Sequence, residues 1–239
     1  MSARPSSSTH NSGGPMERLR GGLVVSCQAQ PGDPLYGPVF MAAMAASSVG
    51  GGAVGIRVNG LEDIRAVRKA VDVPIIGLWK DGSEVPYITP TLSHALAVAA
   101  AGADLVAIDA TVSSRRDGYS LTESITALHE QTECLVMADV ATANQGVAAQ
   151  AAGADLVATT MAGYTSDRPM GDGPDLELVA ELARALTVPV VAEGRISSPE
   201  QAAHALDLGA FAVVVGSAIT RPQAMTERFS AAVKKRIVD

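Results

Sequence analysis

The chain has 239 residues, 47% of them apolar but only 3% aromatic, and a formal net charge of -7. That length fills one large domain with a well-buried core, and the scarcity of aromatics asks for Ala, Val, Leu and Ile packed between close helices and a parallel sheet. The acidic balance, with no basic stripe, excludes nucleic acid as a principal partner, and no apolar stretch reaches the length of a membrane span.

The opening "MSARPSSSTHNSGG" is Ser/Gly-rich and lacks the apolar centre of a signal peptide. Residues 1–15 therefore read as a disordered leader or a mis-assigned start, with Met16 as the alternative first residue and a single domain over 16–239. Cys27 and Cys134 lie far apart with no C-x-x-C pair, which reads as two reduced thiols in a cytoplasmic protein. His10, His94, His129 and His204 are scattered and not at ligand spacing, so no structural metal is expected.

In chain order, "GGLVVSCQ", "AVGIRVNG", "VPIIGLWK", "GADLVAIDA", "ECLVMADV", "GADLVATTM", "VPVVAEGR" and "AFAVVVGS" read as strands. They end near Gln28, Arg57, Lys80, Asp109, Asp139, Thr160, Glu193 and Ser217, at intervals of about 21 to 33 residues. Helix-like stretches lie between them: "LEDIRAVRKAV", "TLSHALAVAAA", "SLTESITALHEQ", "NQGVAAQAA", "DLELVAELARAL" and "SPEQAAHALDL", with Thr89, Asp175 and Ser198 as expected N-caps. "AAGADLVAIDA" returns as "AAGADLVATTM" and, more faintly, as "DLGAFAVVVGS". Each is a helix ending at a left-handed glycine and running straight into a strand. Strands alternating with helices at this length predict a (β/α)8 TIM barrel; a doubly wound sheet would show a glycine fingerprint after its first strand, which "SCQAQPGDPLYG" is not.

Barrel chemistry gathers at the C-terminal strand ends. Lys80 is there either as a solvated loop residue or as a working amine, and Glu193 beside it needs a cation or donor to offset its desolvation. Lys80 and Arg57 are the natural partners; the alternative is a stabilising ion pair in the rim. Asp109 and Asp139 are in equivalent places, and the short "ADV" run favours Asp139 as a substrate contact, with Thr160 a further contact on the sixth strand. Gly194, Gly216 and Ser217 follow the last two strands, where backbone N–H groups can cradle a phosphate, and Arg221 can add bidentate charge. The alternative for these glycines is tight turns alone.

Together "GGLVVSCQ", "GAVGIRVNG", "PIIGLWK", "YITPTL", "GADLVAIDAT", "MADVAT", "GYT", "VAEGRI" and "VVVGSAITRP" resemble the N-acetylmannosamine-6-phosphate 2-epimerase family from about Met16 to the end. The resemblance implies interconversion of N-acetylmannosamine 6-phosphate and N-acetylglucosamine 6-phosphate in amino-sugar and sialic acid catabolism, on the open-chain aldehyde, with no organic cofactor. It implies Lys80 as the acid/base at C2 and Glu193 as its partner, Gln28, Arg57 and Asp139 as residues that hold the sugar, and Gly194, Gly216, Ser217 and Arg221 at the phosphate. A homodimer is expected from the resemblance and the apolar final helix. Trp79 stands where the family has a smaller residue and is expected to bear on the pocket.

Inverting a carbon beside a carbonyl requires removing its proton and returning one to the opposite face, with the oxygen charge stabilised meanwhile. Lysine does this near neutrality only if desolvation or a neighbouring cation lowers its pKa, effects expected from Trp79 and Arg57. Two alternatives use the same residues: a Schiff-base, aldolase-like lyase with Lys80 as nucleophile, and a phosphosugar-binding protein without turnover.

Overall fold

The apolar runs form β1 (Leu23–Cys27), β2 (Gly55–Asn59), β3 (Ile75–Leu78), β4 (Leu105–Asp109), β5 (Leu135–Asp139), β6 (Leu156–Ala158), β7 (Val190–Glu193) and β8 (Ala212–Val215). Each pairs in parallel with the next and β8 returns to β1, so the eight strands close into the expected TIM barrel. The structure, a computed structural model, describes residues 13–112 and 114–238. The expected leader lies outside the described residues as far as residue 12.

Around the barrel run α2 (Pro38–Gly50), α3 (Leu61–Ala70), α4 (Leu92–Ala100), α5 (Leu121–Gln131), α6 (Ala143–Ala151), α7 (Leu176–Ala185) and α8 (Pro199–Asp207). A short α1 (Pro15–Leu19) precedes β1, and a short α9 (Ser217–Thr220) and long α10 (Pro222–Val238) follow β8. Asp175 and Ser198 cap α7 and α8 as expected, each accepting from a backbone N–H three residues on. The cap of α4 is Thr91 and not Thr89. Thr89 is instead buried in a left-handed conformation, φ +49°, in the loop before it. The helix over Pro38–Gly50 has no counterpart among the expected elements, although Pro38 directly after Gly37 is a helix-start signal.

The repeated joint has a physical cause. Gly102, Gly153 and Gly209 all take the left-handed conformation that ends a helix. In the first two copies the aspartate that follows reaches back to the preceding strand: Asp104 Oδ2 accepts from Ile75 N at 2.8 Å, and Asp155 Oδ2 accepts from Val136 N at 2.8 Å. Each also holds a cationic or imidazole partner, Arg68 and His129. The motif thus secures the starts of neighbouring strands, at the barrel end opposite any chemistry.

Alternation along each strand decides what the barrel encloses. Val24, Ile76, Leu78, Leu105, Ala107, Met137, Leu156, Ala158, Val191, Ala212 and Val214 fill the interior. Two residues further along, the same parity reaches Ser26, Lys80, Asp109, Asp139, Thr160, Glu193 and Gly216. The floor is closed by α1, whose fully buried Leu19 joins the interior cluster. Gly55 makes room for it: a Cβ there would stand 2.5 Å from Leu19 Cδ2.

Removing this plug opens a cavity that the surrounding strands cannot collapse into. Leu19→Ala is expected to lower stability by about 2–5 kcal/mol, read as a shift of the urea midpoint with the slope unchanged.

Candidate active site

A cavity of about 720 Å3 opens at the C-terminal mouth. It is lined by Gln28, Arg57, Lys80, Thr160, Glu193, Gly194, Gly216, Ser217 and Arg221, nine of the residues singled out in the sequence. Asp139 is wholly buried behind them and does not line the cavity.

Arg57 organises this mouth from β2. Its guanidinium is 1% exposed and crosses the barrel to Asp139 on β5, with Nη2 donating to Oδ2 at 2.5 Å and Nη1 to Oδ1 at 3.2 Å. The same Nη1 donates to Thr160 Oγ1 at 3.1 Å and makes a short contact with Glu193 Oε2. Thr160 Oγ1 donates in turn to Asp139 Oδ1 at 2.6 Å. Thr159 fixes the neighbouring backbone, its hydroxyl donating to Glu193 O at 2.8 Å and accepting from Glu193 N at 3.0 Å. Burial pushes the carboxyls of Glu193 and Asp139 above their ordinary range despite the attraction of Arg57. For Arg57 burial opposes the charge, but the two carboxylates outweigh it and hold the guanidinium ionised. Asp139 therefore acts on Arg57 and Thr160 and presents no surface to the cavity.

Lys80 lies just beyond β3 on a backbone held from both sides. Its N–H donates to Asn59 Oδ1 at 2.9 Å, and it pairs antiparallel with Ile88 where the "YITPTL" loop turns back. That loop is pinned by Asp109, whose carboxylate accepts from Tyr87 N and from Thr111, and by buried Arg115, which donates to the carbonyls of Asp109 and Thr89. Asp109 is thus the rim residue turned to its own loops. Burial lowers the Lys80 pKa, and Arg57 lowers it further, against the pull of Glu193 and Asp139. Trp79 has no part in this. Its ring leaves the barrel on the helix side and sits 4.4 Å from the His94 ring, and it does not line the cavity. The expected effect of Trp79 on the pocket is therefore corrected: adjacent residues of a strand end face opposite ways.

At the other end of the cavity Gly194 adopts φ +111°, which only glycine takes without strain. Gly216 leads into α9, where a Cβ would stand 3.5 Å from Ser26 Cβ beside the cavity. Arg221 Nη2 is shared with Asp33, at 3.2 and 3.4 Å from its two oxygens. Among the described residues no group of three or more His, Cys, Asp or Glu side chains is placed to hold a metal ion.

The family profile described as "Putative N-acetylmannosamine-6-phosphate epimerase" matches residues 41–235. The chain belongs to this family. An epimerase-family relative from Cutibacterium acnes, described as "Putative N-acetylmannosamine-6-phosphate 2-epimerase", is 53% identical over 218 residues, covering 90% of this chain and 95% of its own. A relative of the same description from Caldanaerobacter subterraneus is 49% identical, with 92% and 94% covered. A solved N-acetylmannosamine-6-phosphate 2-epimerase from Clostridium perfringens superposes with TM-score 0.89 at 38% identity, covering 95% of this chain and all of that one. A thiamine phosphate pyrophosphorylase from Pyrococcus furiosus, at 18% identity and TM-score 0.61, shares the fold alone.

The family cavity also holds residues that the strand-end reading passed over. Ser26 lies two positions before the expected Gln28, so the two-residue period already pointed at it. Tyr164 and Asp172 come from the loop after β6, and Met225 and Arg228 from α10, where no such period applies.

Replacing Arg57 by Leu would strand the buried carboxylate of Asp139 and the largely buried one of Glu193, at a cost of about 3–5 kcal/mol. Their folded-state pKa values would rise further above the unfolded ones, so stability present below about pH 4 is lost as pH rises. Denaturant unfolding should show the Arg57→Leu deficit smallest in acid and largest near neutrality.

Proposed function

We propose that the chain interconverts N-acetylmannosamine 6-phosphate and N-acetylglucosamine 6-phosphate by moving the proton at C2. The observation that carries this reading is a half-buried lysine of lowered pKa, Lys80, sharing one cavity with Glu193 and Arg57 in a chain 53% identical to a relative described as a 2-epimerase of this substrate. The reaction belongs to amino-sugar catabolism, and two unpaired cysteines suit the cytoplasm. Residues 16–239 act as one barrel domain.

Lys80, as the neutral amine, takes the C2 proton from the open-chain aldehyde and becomes an ammonium. The electron pair moves onto the carbonyl oxygen as an enolate, and a proton returned to the opposite face gives the epimer. Glu193, its carboxyl raised by burial, partners Lys80 in this exchange. Arg57 and Gln28 line the cavity and are assigned to the oxygens and hydroxyls of the sugar. Asp139 and Thr160 hold Arg57 in place. Gly194, Gly216, Ser217 and Arg221 take the phosphate.

Proton NMR with N-acetylmannosamine 6-phosphate in deuterium oxide tests the reading. The gluco epimer should appear with deuterium at C2, and Lys80→Ala should abolish both exchange and conversion. Absence of both in the wild type would overturn the reading, as would a borohydride-trapped adduct at Lys80. Because burial and Arg57 lower the lysine pKa, kcat/KM should rise with pH through a midpoint below 10.5, and a midpoint at or above it would remove Lys80 as the base.

The same reading includes a homodimer built on α10. Nearly all of this helix is exposed, and Phe229 and Val233, 71% and 62% exposed, stand one turn apart. A second copy of the chain is the cover we assign to them. Sedimentation velocity should find the wild type at twice the chain mass, with Phe229→Glu and Val233→Glu shifting it to monomer.

A further inference from the structure

Arg195 directly follows the Glu193–Gly194 pair and is the only non-glycine residue besides Thr89 with positive φ among those described, at +54°. For such a residue the left-handed conformation costs on the order of 1–2 kcal/mol. Its guanidinium shows what holds it there. Nη1 donates to Ala162 O at 2.6 Å and Nε to Gly173 O at 2.8 Å. Those carbonyls stand at the two ends of the loop 162–173 that joins the turn after β6 to α7, so one side chain closes the loop's neck. The Tyr164 ring lies under the same guanidinium, 5.7 Å from its carbon.

The loop is shaped to receive this side chain. Gly163, at φ +83°, has no space for a Cβ, which would stand 2.8 Å from Arg195 Nη1 and 2.9 Å from Met170 Cα. Beyond it Thr165 and Arg168 pair antiparallel, and Arg168 grips Asp175 at 2.5 and 2.9 Å. No carboxylate among the described residues forms an ion pair with Arg195, so its fixed geometry comes from the two carbonyls. Tyr164 and Asp172, both on this loop, line the cavity.

We propose that Arg195 is a positioning residue that staples the neck of the 162–173 loop and so sets Tyr164 and Asp172 as the substrate-facing wall beside Glu193. The staple needs a planar fork with two diverging donors, which guanidinium supplies and an ammonium does not. Its link to substrate affinity rests on the epimerase reading above; the loop geometry does not. A wall that grips substrate and transition state alike changes KM more than kcat.

Two arms test this on the full chain. In the first, amide hydrogen exchange is followed over residues 163–172 in the wild type, Arg195→Gln, Arg195→Lys and Gly163→Ala. All three variants should exchange about tenfold faster or more in this segment, with the strands unchanged. In the second, KM for N-acetylmannosamine 6-phosphate should rise about tenfold in each variant while kcat falls by less. Unchanged loop exchange in Arg195→Gln overturns the staple, and so does restoration of both loop exchange and KM by Arg195→Lys, which would leave only a point charge. If Arg195→Gln does not fold, Gly163→Ala decides alone, since it displaces the same contact from the loop side. A wild type without epimerase activity would sink the functional reading, and the exchange arm would still decide the staple.

Discussion

A guanidinium buried in the throat of the barrel sets the terms for everything above it. Arg57 is 1% exposed, and a charge so placed is tolerable only with hydrogen-bonded counter-charges. Asp139 and Glu193 supply them from β5 and β7, and Thr160 from beyond β6 completes the set. Those partners are far apart in sequence, so they meet only once the sheet has closed. A slip of one residue in any of these strands would turn its polar group out among the helices and bring an apolar side chain into the mouth.

The two ends of the barrel divide the work. At the strand starts, Asp104 and Asp155 hold the backbone of the preceding strand, and Leu19 seals the floor. At the strand ends, the same two-residue period presents titratable groups, and their environments set them apart. Burial disfavours charge on Lys80 and on both carboxyls, while Arg57 stays ionised. The loops then hold the strand ends: Asp109 and Arg115 fix the turn that pairs with Lys80, and Thr159 fixes Glu193.

Much of this was legible in the sequence, because strand parity and helix punctuation are local. The eight strands end within two residues of the expected positions, and the "GAD" joints marked the helix-to-strand turns. Residues that act through the tertiary structure were harder to read. Asp139 looked like a substrate contact because it ends a strand, yet the long reach of Arg57 across the barrel claims both its oxygens. Trp79 neighbours Lys80 in the chain but faces the helices. Thr89 resembled a helix cap; the cap is Thr91, and Thr89 serves the loop by accepting from Trp79 N. The loop that Arg195 grips carries no periodic signal, since irregular backbone announces its contacts only when folded.

The sealed floor has a consequence for traffic. With Leu19 beneath and a packed interior above it, the barrel is a blind well with a single rim. Whatever enters leaves by the same route, and two sugars that differ only in the arrangement at one carbon compete for one berth. The protein can therefore set how quickly the two forms exchange, while the direction of net flow belongs to whatever fills the well from one side and drains it from the other.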